Sequence, residues 1–490
     1  MSRLLAALLA SVASLLAAGD SSNDLEAQMK TLLSAYAILE QNAAEPITSE
    51  QAFYQGAIPG LLRKLDPHSV FFDPGQFAQL QKLETSTQKG FGTVVSLMPG
   101  RIIVLQTLPG TPSAKAGLSP GDEILGINGY VIARLDLDQL TELLTEARQQ
   151  QAQLDVKRPG SARIMQFTLM PEELQAPSVD RAFFVAAGIG YVRVASFEES
   201  TPQLLRQAIE KLGGERLSGL VLDLRNNPGG LVTAAIQTAS MFLDPGQKIL
   251  TVRGRNVPES NEVVPESAKP YKFKLAVLVN EKTASASEIV SGALQDHDRA
   301  TILGQPSYGK GLVQSVFPMS EGTGLALTTA LYYTPSGRSI QKPLNASLFE
   351  LAGATKQVNA ARTFHTDKGR TVTGGGGIQP DIVVYPQAMN RLREAMEASG
   401  SFTNFATEYL SEHKIDSDFE ITPEILDEFR SYLFQRSIQP GVSEWIPERE
   451  YVENRLKTEI FNQALGVEKG DEVEAQRDPV ILKAADVLGS

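Results

Sequence analysis

The sequence contains no cysteine, which excludes disulfides, thiolate metal sites and a Cys nucleophile. Its four histidines, His68, His297, His365 and His413, are scattered along 490 residues. Their spacing gives no support to a clustered imidazole metal site, and a His-based triad would have to draw on one of these four. No basic block is present either: 45 Lys and Arg stand against 57 Asp and Glu, a net charge of −12. That balance disfavours nucleic acid and anionic membrane surfaces as partners. Long apolar runs are absent except at the N-terminus, where Arg3 precedes Leu4–Ala18, interrupted by Ser11 and Ser14 and followed by Gly19. A short basic start, an apolar run too short for a comfortable bilayer span and small residues at its end form a secretory signal pattern. The segment 1–19 is therefore expected to be a signal peptide and the protein to be exported, to the periplasm. An uncleaved segment holding it at a membrane is the alternative. The remaining composition, 42% apolar and 21% charged, is that of a globular chain, long enough for about three domains.

Periodicity divides the chain further. Residues 20–85 read as helical, with Leu25, Met29, Leu32, Leu33 and Tyr36 at helical spacing and a second helix expected over Gln51–Leu65, stopped at Asp66-Pro67-His68-Ser69. Residues 86–173 turn to short β-rich runs between Gly and Pro turns, including Arg101–Leu105 and a strand closing on Asn128-Gly129, with one helix over Asp138–Arg148. From 174 to 385, strand-like runs (Ile189–Val194, Gly219–Leu224, Phe273–Val279, Leu325–Tyr333) alternate with helical ones (Gln203–Leu212, Leu231–Phe242, Ala286–Gln295). That alternation predicts an α/β core with helices packed on a sheet. Residues 386–490 read as a polar helical region without a motif.

Three segments carry chemistry. In Val279–Leu294 an apolar strand leads into an amphipathic helix at Ser285, and Ser285 with Glu288 fits a capping box. The same geometry suits a nucleophile. Unsatisfied N–H groups and the positive end of the helix dipole favour a developing anion, and the Ala286 N–H is placed to help hold it. A serine needs a base. His297 stands among charges past the expected helix end and reads as a solvated turn residue. Lys310 is the better candidate, flanked by Gly309 and Gly311, with Gln314 four residues on to fix its amine. A lysine base requires surroundings that disfavour its charged form, which lysine, unlike arginine, can accommodate. The third segment, Gly219–Leu231, runs a buried strand into Asn226-Asn227-Pro228-Gly229-Gly230, where backbone N–H groups of Gly229 or Gly230 can meet a bound carbonyl. Taken singly, these segments are also a cap, a surface lysine on a Gly turn and a tight strand-to-helix turn.

Together and in this order, Asp223–Gly230, Ser285-Ala-Ser-Glu-Ile289 and Gly309-Lys310-Gly311 with Gln314 resemble the C-terminal processing peptidases, also called tail-specific proteases. Members of that family hold Ser and Lys 25 residues apart with Gln four later, the spacing of Ser285, Lys310 and Gln314 here; Ser287 does not match. Leu65–Ser69, Thr334–Arg338 and Gly377–Asp381 resemble further family segments, and the likeness covers residues 55 to 385. It implies a multidomain α/β chain: a ClpP/crotonase-like α/β protease core (174–385), an inserted β-rich PDZ domain (86–173), an N-terminal helical segment (20–85) and a helical C-terminal region (386–490).

The resemblance also implies that Gly90-Phe91-Gly92 receives a terminal carboxylate while the peptide adds as a strand to the sheet edge. The function it implies is a serine endopeptidase cutting proteins near or from their C-terminal tails. Ser285 is the nucleophile, Lys310 the base, Gln314 its orienting partner, and Ala286 with Gly229 or Gly230 the oxyanion donors, with no metal or organic cofactor. Expected partners are proteins with apolar tails, a second copy of the chain or an activating adaptor. A non-catalytic PDZ adaptor or chaperone, which binds tails without cutting them, is the competing reading; a His-dependent exported serine protease ranks below both.

Overall fold

The computed structural model describes residues 22–66, 68–84, 88–161, 163–174, 177–342 and 363–489. The expected signal segment 1–19 and the boundary expected at 85/86 lie outside the described residues. No helix among them is long and apolar enough to cross a membrane. The chain forms two compact units, residues 1–84 with 314–328, and residues 85–313 with 329–490.

In the first unit, the helical periodicity at the start of the chain becomes the helix Ser22–Asn42. The second expected helix is a π-helical turn, Gln51–Ala57, running into Ile58–Leu62. Asp66 ends this stretch by accepting hydrogen bonds from the His68 and Ser69 N–H groups and the Ser69 hydroxyl, at 2.7 to 2.8 Å. The strand Val70–Phe72 then pairs antiparallel with residues 324–326.

The second unit opens with a small β-domain. Strands Thr93–Met98, Arg101–Thr107, Glu123–Ile127, Ala152–Lys157 and Ile164–Leu169, with the short Tyr130–Val131 beside Glu123–Ile127, form its sheet. Asn128 and Gly129 make the predicted turn, both at positive φ (51° and 84°), as a tight hairpin demands. The helix Leu137–Ala147 opens on a complete capping box between Asp136 and Gln139. Its Leu140, Leu143 and Ala147 join Ile102, Val104, Ile124 and Val156 in one apolar core.

A second six-stranded sheet has its strands in sequential order: β1 (Val179–Ala186), β2 (Ile189–Val194), β3 (Gly219–Asp223), β4 (Lys274–Val279), β5 (Thr301–Gly304) and β6 (Ile382–Val383). β1 and β2 are antiparallel; β2 to β6 are parallel. The crossover helices α1 (Thr201–Lys211), α2 (Val232–Ser240) and α3 (Ala286–Asp296) share one core with Val192, Val194, Leu220, Leu222, Val277 and Ile302. The alternate residues Tyr191, Val221, Ala276, Leu278 and Leu303 face the other way, into a second core. That face is covered by α4 (Pro479–Gly489), through Val480, Ile481, Ala484 and Leu488. The last hundred residues thus supply the sheet's second helical layer, which their polar composition did not announce. Their other helices, from Arg391–Ala398 to Val442–Ala464, close around a core of their own that includes Phe402, Phe405, Phe429, Trp445 and Leu456.

Candidate active site

Parallel strands gather their carboxyl-terminal loops at one edge of the sheet, where α/β proteins place their sites. The three chemistry-bearing segments are the loops after β3, β4 and β5, and a mesh of hydrogen bonds joins them. Asn226, at φ 60°, donates its N–H to Asn280 Oδ1 and accepts from Asn280 Nδ2, both at 2.9 Å. Thr283 Oγ1 donates to Leu224 O (2.8 Å), and Tyr308 N–H donates to Thr283 O (2.9 Å). Asn227, wholly buried, donates Nδ2 to Val194 O (2.8 Å), and its own carbonyl accepts the Ala284 N–H (3.0 Å).

Ser285 sits at the amino end of α3 with φ 54° and ψ −115°, a region that costs a non-Gly residue about 1–3 kcal/mol and clusters at functional sites. The expected capping box is half formed. The Glu288 carboxylate reaches back to the Ser285 N–H (2.9 Å), while the Glu288 N–H bonds the Ser285 carbonyl (2.8 Å) and not its hydroxyl. Ser285 Oγ therefore has no hydrogen-bond partner among the described residues. Ser287, by contrast, is wholly buried and donates Oγ to Asn227 O (3.2 Å).

Glu288 does far more than cap. Its buried Oε1 accepts the Ser307 hydroxyl (2.5 Å) and the Gly309 N–H (2.7 Å); its Oε2 accepts the N–H groups of both Ser285 and Lys310, each at 2.9 Å. Burial pushes this carboxyl above its ordinary range, against the pull of those four hydrogen bonds. Sequence reasoning took Glu288 for a cap partner and passed over Ser307. The available signal was an acidic residue, Glu288, within the small and apolar run Ala286–Leu294, a helix the structure buries along its whole length.

The glycines around Lys310 are explained by close approach. A Cβ on Gly309 (φ 87°) would lie 2.6 Å from the Lys342 side chain, and one on Gly311 2.6 Å from Ile340. Backbone bonds from Lys342 N–H to Gly309 O (3.1 Å) and from Tyr332 N–H to Gly311 O (2.8 Å) fix the loop. Lys310 Nζ has neither a carboxylate nor a hydrogen-bond partner among the described residues.

Gly229 (φ 104°) is pressed against the Ser285 turn: a Cβ there would lie 2.8 Å from Ala284 O and from Ser285 Cβ. Its N–H is committed to Asn227 Oδ1 (2.8 Å). Gly230 bridges to Phe197, and its N–H, like that of Ala286 in the first turn of α3, has no partner among the described residues. Gln314 lies in the other unit, where its Nε2 donates to His68 O (2.8 Å). His297 is not the solvated turn residue expected. Its side chain is 8% exposed, with Nδ1 on Asp367 and Nε2 on Lys248 O, both at 2.7 Å. It follows α3, whose far end is buried in the core, so neighbouring elements close over it. No three His, Asp or Glu side chains converge on a metal site among the described residues.

In the β-domain, Gly90 pairs with Glu172 in a short ribbon. A cavity of about 230 Å³ lies between strand Thr93–Met98 and helix Leu137–Ala147, lined by Phe91, Gly92, Val95, Leu144 and Leu154 among others. Gly92 (φ 73°) packs so closely on Thr111 that a Cβ would lie 2.3 Å from it. The N–H groups of Phe91 and Gly92 have no partner among the described residues.

Comparison with known proteins identifies this architecture as that of a serine protease carrying a PDZ domain. Peptidase family S41 matches residues 188–346 and the PDZ domain residues 80–157. The carboxy-terminal-processing protease of Bartonella bacilliformis is 38% identical over 303 residues, 60% of this chain and 68% of that protein. The carboxyl-terminal-processing protease of Synechocystis is 34% identical over 309 residues, 62% of this chain and 72% of that one. A solved photosystem II D1 C-terminal processing protease aligns at TM-score 0.42 and 26% identity, over 72% of this chain and 92% of its own. The chain belongs to the carboxyl-terminal-processing proteases of peptidase family S41.

Proposed function

We propose that the protein is an endopeptidase that cuts protein substrates near or from their C-terminal tails by acyl transfer, with Ser285 and Lys310 as its dyad. The observation that carries this reading is the Glu288 carboxylate. One of its oxygens accepts the N–H groups of both residues, which draws their backbones together while the Ser285 hydroxyl and the Lys310 amine stay uncommitted. In this reading the neutral Lys310 amine takes the Ser285 proton as Oγ attacks the scissile carbonyl carbon. The N–H groups of Ala286 and Gly230 steady the oxyanion; Gly229, whose N–H is engaged by Asn227, shapes the approach. Lys310 then hands its proton to the leaving amine. Water, activated by the same amine, attacks the ester carbonyl, and Ser285 Oγ leaves with the proton. Gln314 enters as the residue orienting Lys310 on its spacing alone.

The PDZ domain would hold an apolar tail in the cavity beside Phe91 and Gly92, its carboxylate on their free N–H groups and on the Gly90 loop. Capture there raises the local concentration of the rest of the substrate. The N-terminal Arg3 and apolar run support export to the periplasm.

The test is cleavage of an unfolded protein with an apolar, unblocked C-terminus by residues 20–490, wild type and Ser285→Ala, with chelator present. Cleavage by the wild type alone is expected. Equal cleavage by both removes Ser285 as nucleophile. Tail binding without cleavage by either turns the reading towards an adaptor, or an enzyme that needs a second copy or an activator.

A further inference from the structure

We propose that Asp478, in the C-terminal helical region, is a positioning residue for the peptidase reaction, acting through Arg225 on the turn that carries Asn227, Gly229 and Gly230. The proposal deepens the dyad reading and rests on it. Arg225 stands in that turn, two residues past the end of β3. Its own N–H donates to Asp223 Oδ1 (2.8 Å), its Nε reaches both Asp223 oxygens (3.1 and 3.0 Å), and its Nη2 donates to Asp223 Oδ2 (2.7 Å). Asp223 is buried and also accepts the Tyr191 hydroxyl (2.8 Å). One guanidinium corner is left over. Nη1 donates to Asp478 Oδ2 at 2.7 Å, in a pair whose side chains are only about one-fifth exposed (20% and 21%).

The other Asp478 oxygen has a separate task. Oδ1 accepts the N–H groups of Val480 (2.8 Å) and Ile481 (3.1 Å), capping α4. One carboxylate thus fastens the amino end of the helix covering the sheet's second face to the arginine that opens the active-site turn. The next residues of that turn are the ones that hold the site: Asn226 locks to Asn280, and Asn227 takes the N–H groups of Gly229 and Ala284. A planar guanidinium bonded on two sides has one orientation, so α4 sets the direction in which the turn leaves β3. Asp471, in the same helical region, binds Arg181 instead. Arg181 lies on β1, at the sheet edge; Asp471 also stands 3.9 Å from Arg193 of β2 and lines the same cavity as Arg225, but none of its bonds goes to Arg225 or to the turn.

The experiment compares kcat, KM and melting temperature of the full chain with those of Asp478→Asn, Asp478→Ser, Asp471→Asn and Ser285→Ala. The Asn and Ser variants keep an oxygen to cap α4 but present no anion to Arg225, which separates the two tasks. We expect both to lower kcat about tenfold with KM within about twofold and the melting temperature within about 3 °C of wild type. Asp471→Asn should leave kcat unchanged. Arg225→Gln combined with Asp478→Asn should be no slower than Arg225→Gln alone, since the two act in series. The proposal is overturned if kcat of both Asp478 variants equals that of wild type. It is also overturned if Asp471→Asn slows the reaction equally, or if both Asp478 variants unfold, which would make the residue structural only. Full activity in Ser285→Ala would instead overturn the dyad reading, whatever Asp478 does.

Discussion

Replacing Glu288 by Gln changes no volume and removes one charge, so it tests what the carboxylate does for the site. The four groups that meet it are all donors: Ser285 N–H and Lys310 N–H on Oε2, Ser307 Oγ–H and Gly309 N–H on Oε1. An amide keeps one acceptor and puts an NH₂ in the other place. The cheaper orientation turns the NH₂ to Ser307, because a hydroxyl can rotate and accept, even while it accepts the Ile378 N–H (2.6 Å). The Gly309 N–H cannot turn round, and its orphaning costs about 1–3 kcal/mol. Against that stands relief of the buried charge, a penalty of several kcal/mol per ion by general experience. Net stability should therefore move little, while the Gly309 N–H and the loop next to Lys310 are pushed away from the amide NH₂. A displacement of about 1 Å in a catalytic group lowers the rate about 10²-fold, so Glu288→Gln is expected to lose about that factor in kcat with KM nearly unchanged.

The same carboxylate makes a pH statement with a definite sign. Because burial raises the folded value above the ordinary 4.5, the folded state holds this proton more tightly than the unfolded one. Glu288's contribution to stability is then complete below 4.5 and is lost as pH rises through the folded value. Melting temperatures of both proteins across this range should show the Gln variant gaining on wild type as pH rises. A variant with kcat within twofold of wild type, or a wild-type advantage that grows with pH, would refute the account.

Gly92→Ala puts a Cβ at φ 73° and 2.3 Å from Thr111. It should raise KM for tail-bearing substrates about tenfold and spare kcat, measured with substrates of free and blocked C-terminus. Arg338→Met leaves Asp296, 1% exposed, without the guanidinium that bonds it at 2.8 Å. About 3–5 kcal/mol should be lost, as read by denaturant unfolding, and Asp296→Leu in addition should restore part of it. Glu397 is pushed up by burial but pulled below its ordinary 4.5 by Arg455 and Tyr451. Its stabilisation is present above 4.5 and lost as pH falls through its folded value, so the gap between wild type and Glu397→Gln should close on acidification.

Much of this architecture is written in local pattern. Gly219–Leu224 and Phe273–Val279 read as strands because continuous apolar runs suit a sheet covered on both faces, and the structure has strands at Gly219–Asp223 and Lys274–Val279. Ser285, Lys310 and the Gly229-Gly230 turn stood out because sharp loops at strand ends need small residues and glycine. Less legible was anything decided by partners distant in the chain. Ser-x-x-Glu at 285–288 predicts a capping box whichever groups surround it. Only the arrival of Ser307, Gly309 and Lys310 made Glu288 a four-way acceptor, and only the backbone at φ 54° left the serine hydroxyl out of the cap. His297 looked solvated for the same reason: its neighbours in sequence are charged, and its neighbours in space are Asp367 and Lys248 O.

The sequence by itself determined the family, the α/β core, the β-rich domain and the segments that meet at the site. The core and the β-rich domain follow from periodicity and turn chemistry, which act over a few residues; the family follows from a resemblance carried by the order and spacing of short motifs between Asp223 and Gln314. Tertiary structure alone decided what covers the second face of the sheet, and which carboxylate ties the Ser285 turn to the Lys310 loop. It also decided that Asp478, 253 residues away in the chain, closes on Arg225. Burial and hydrogen-bond satisfaction are properties of the folded surroundings: a buried donor must find an acceptor, and which one it finds is set by packing rather than by its neighbours along the chain.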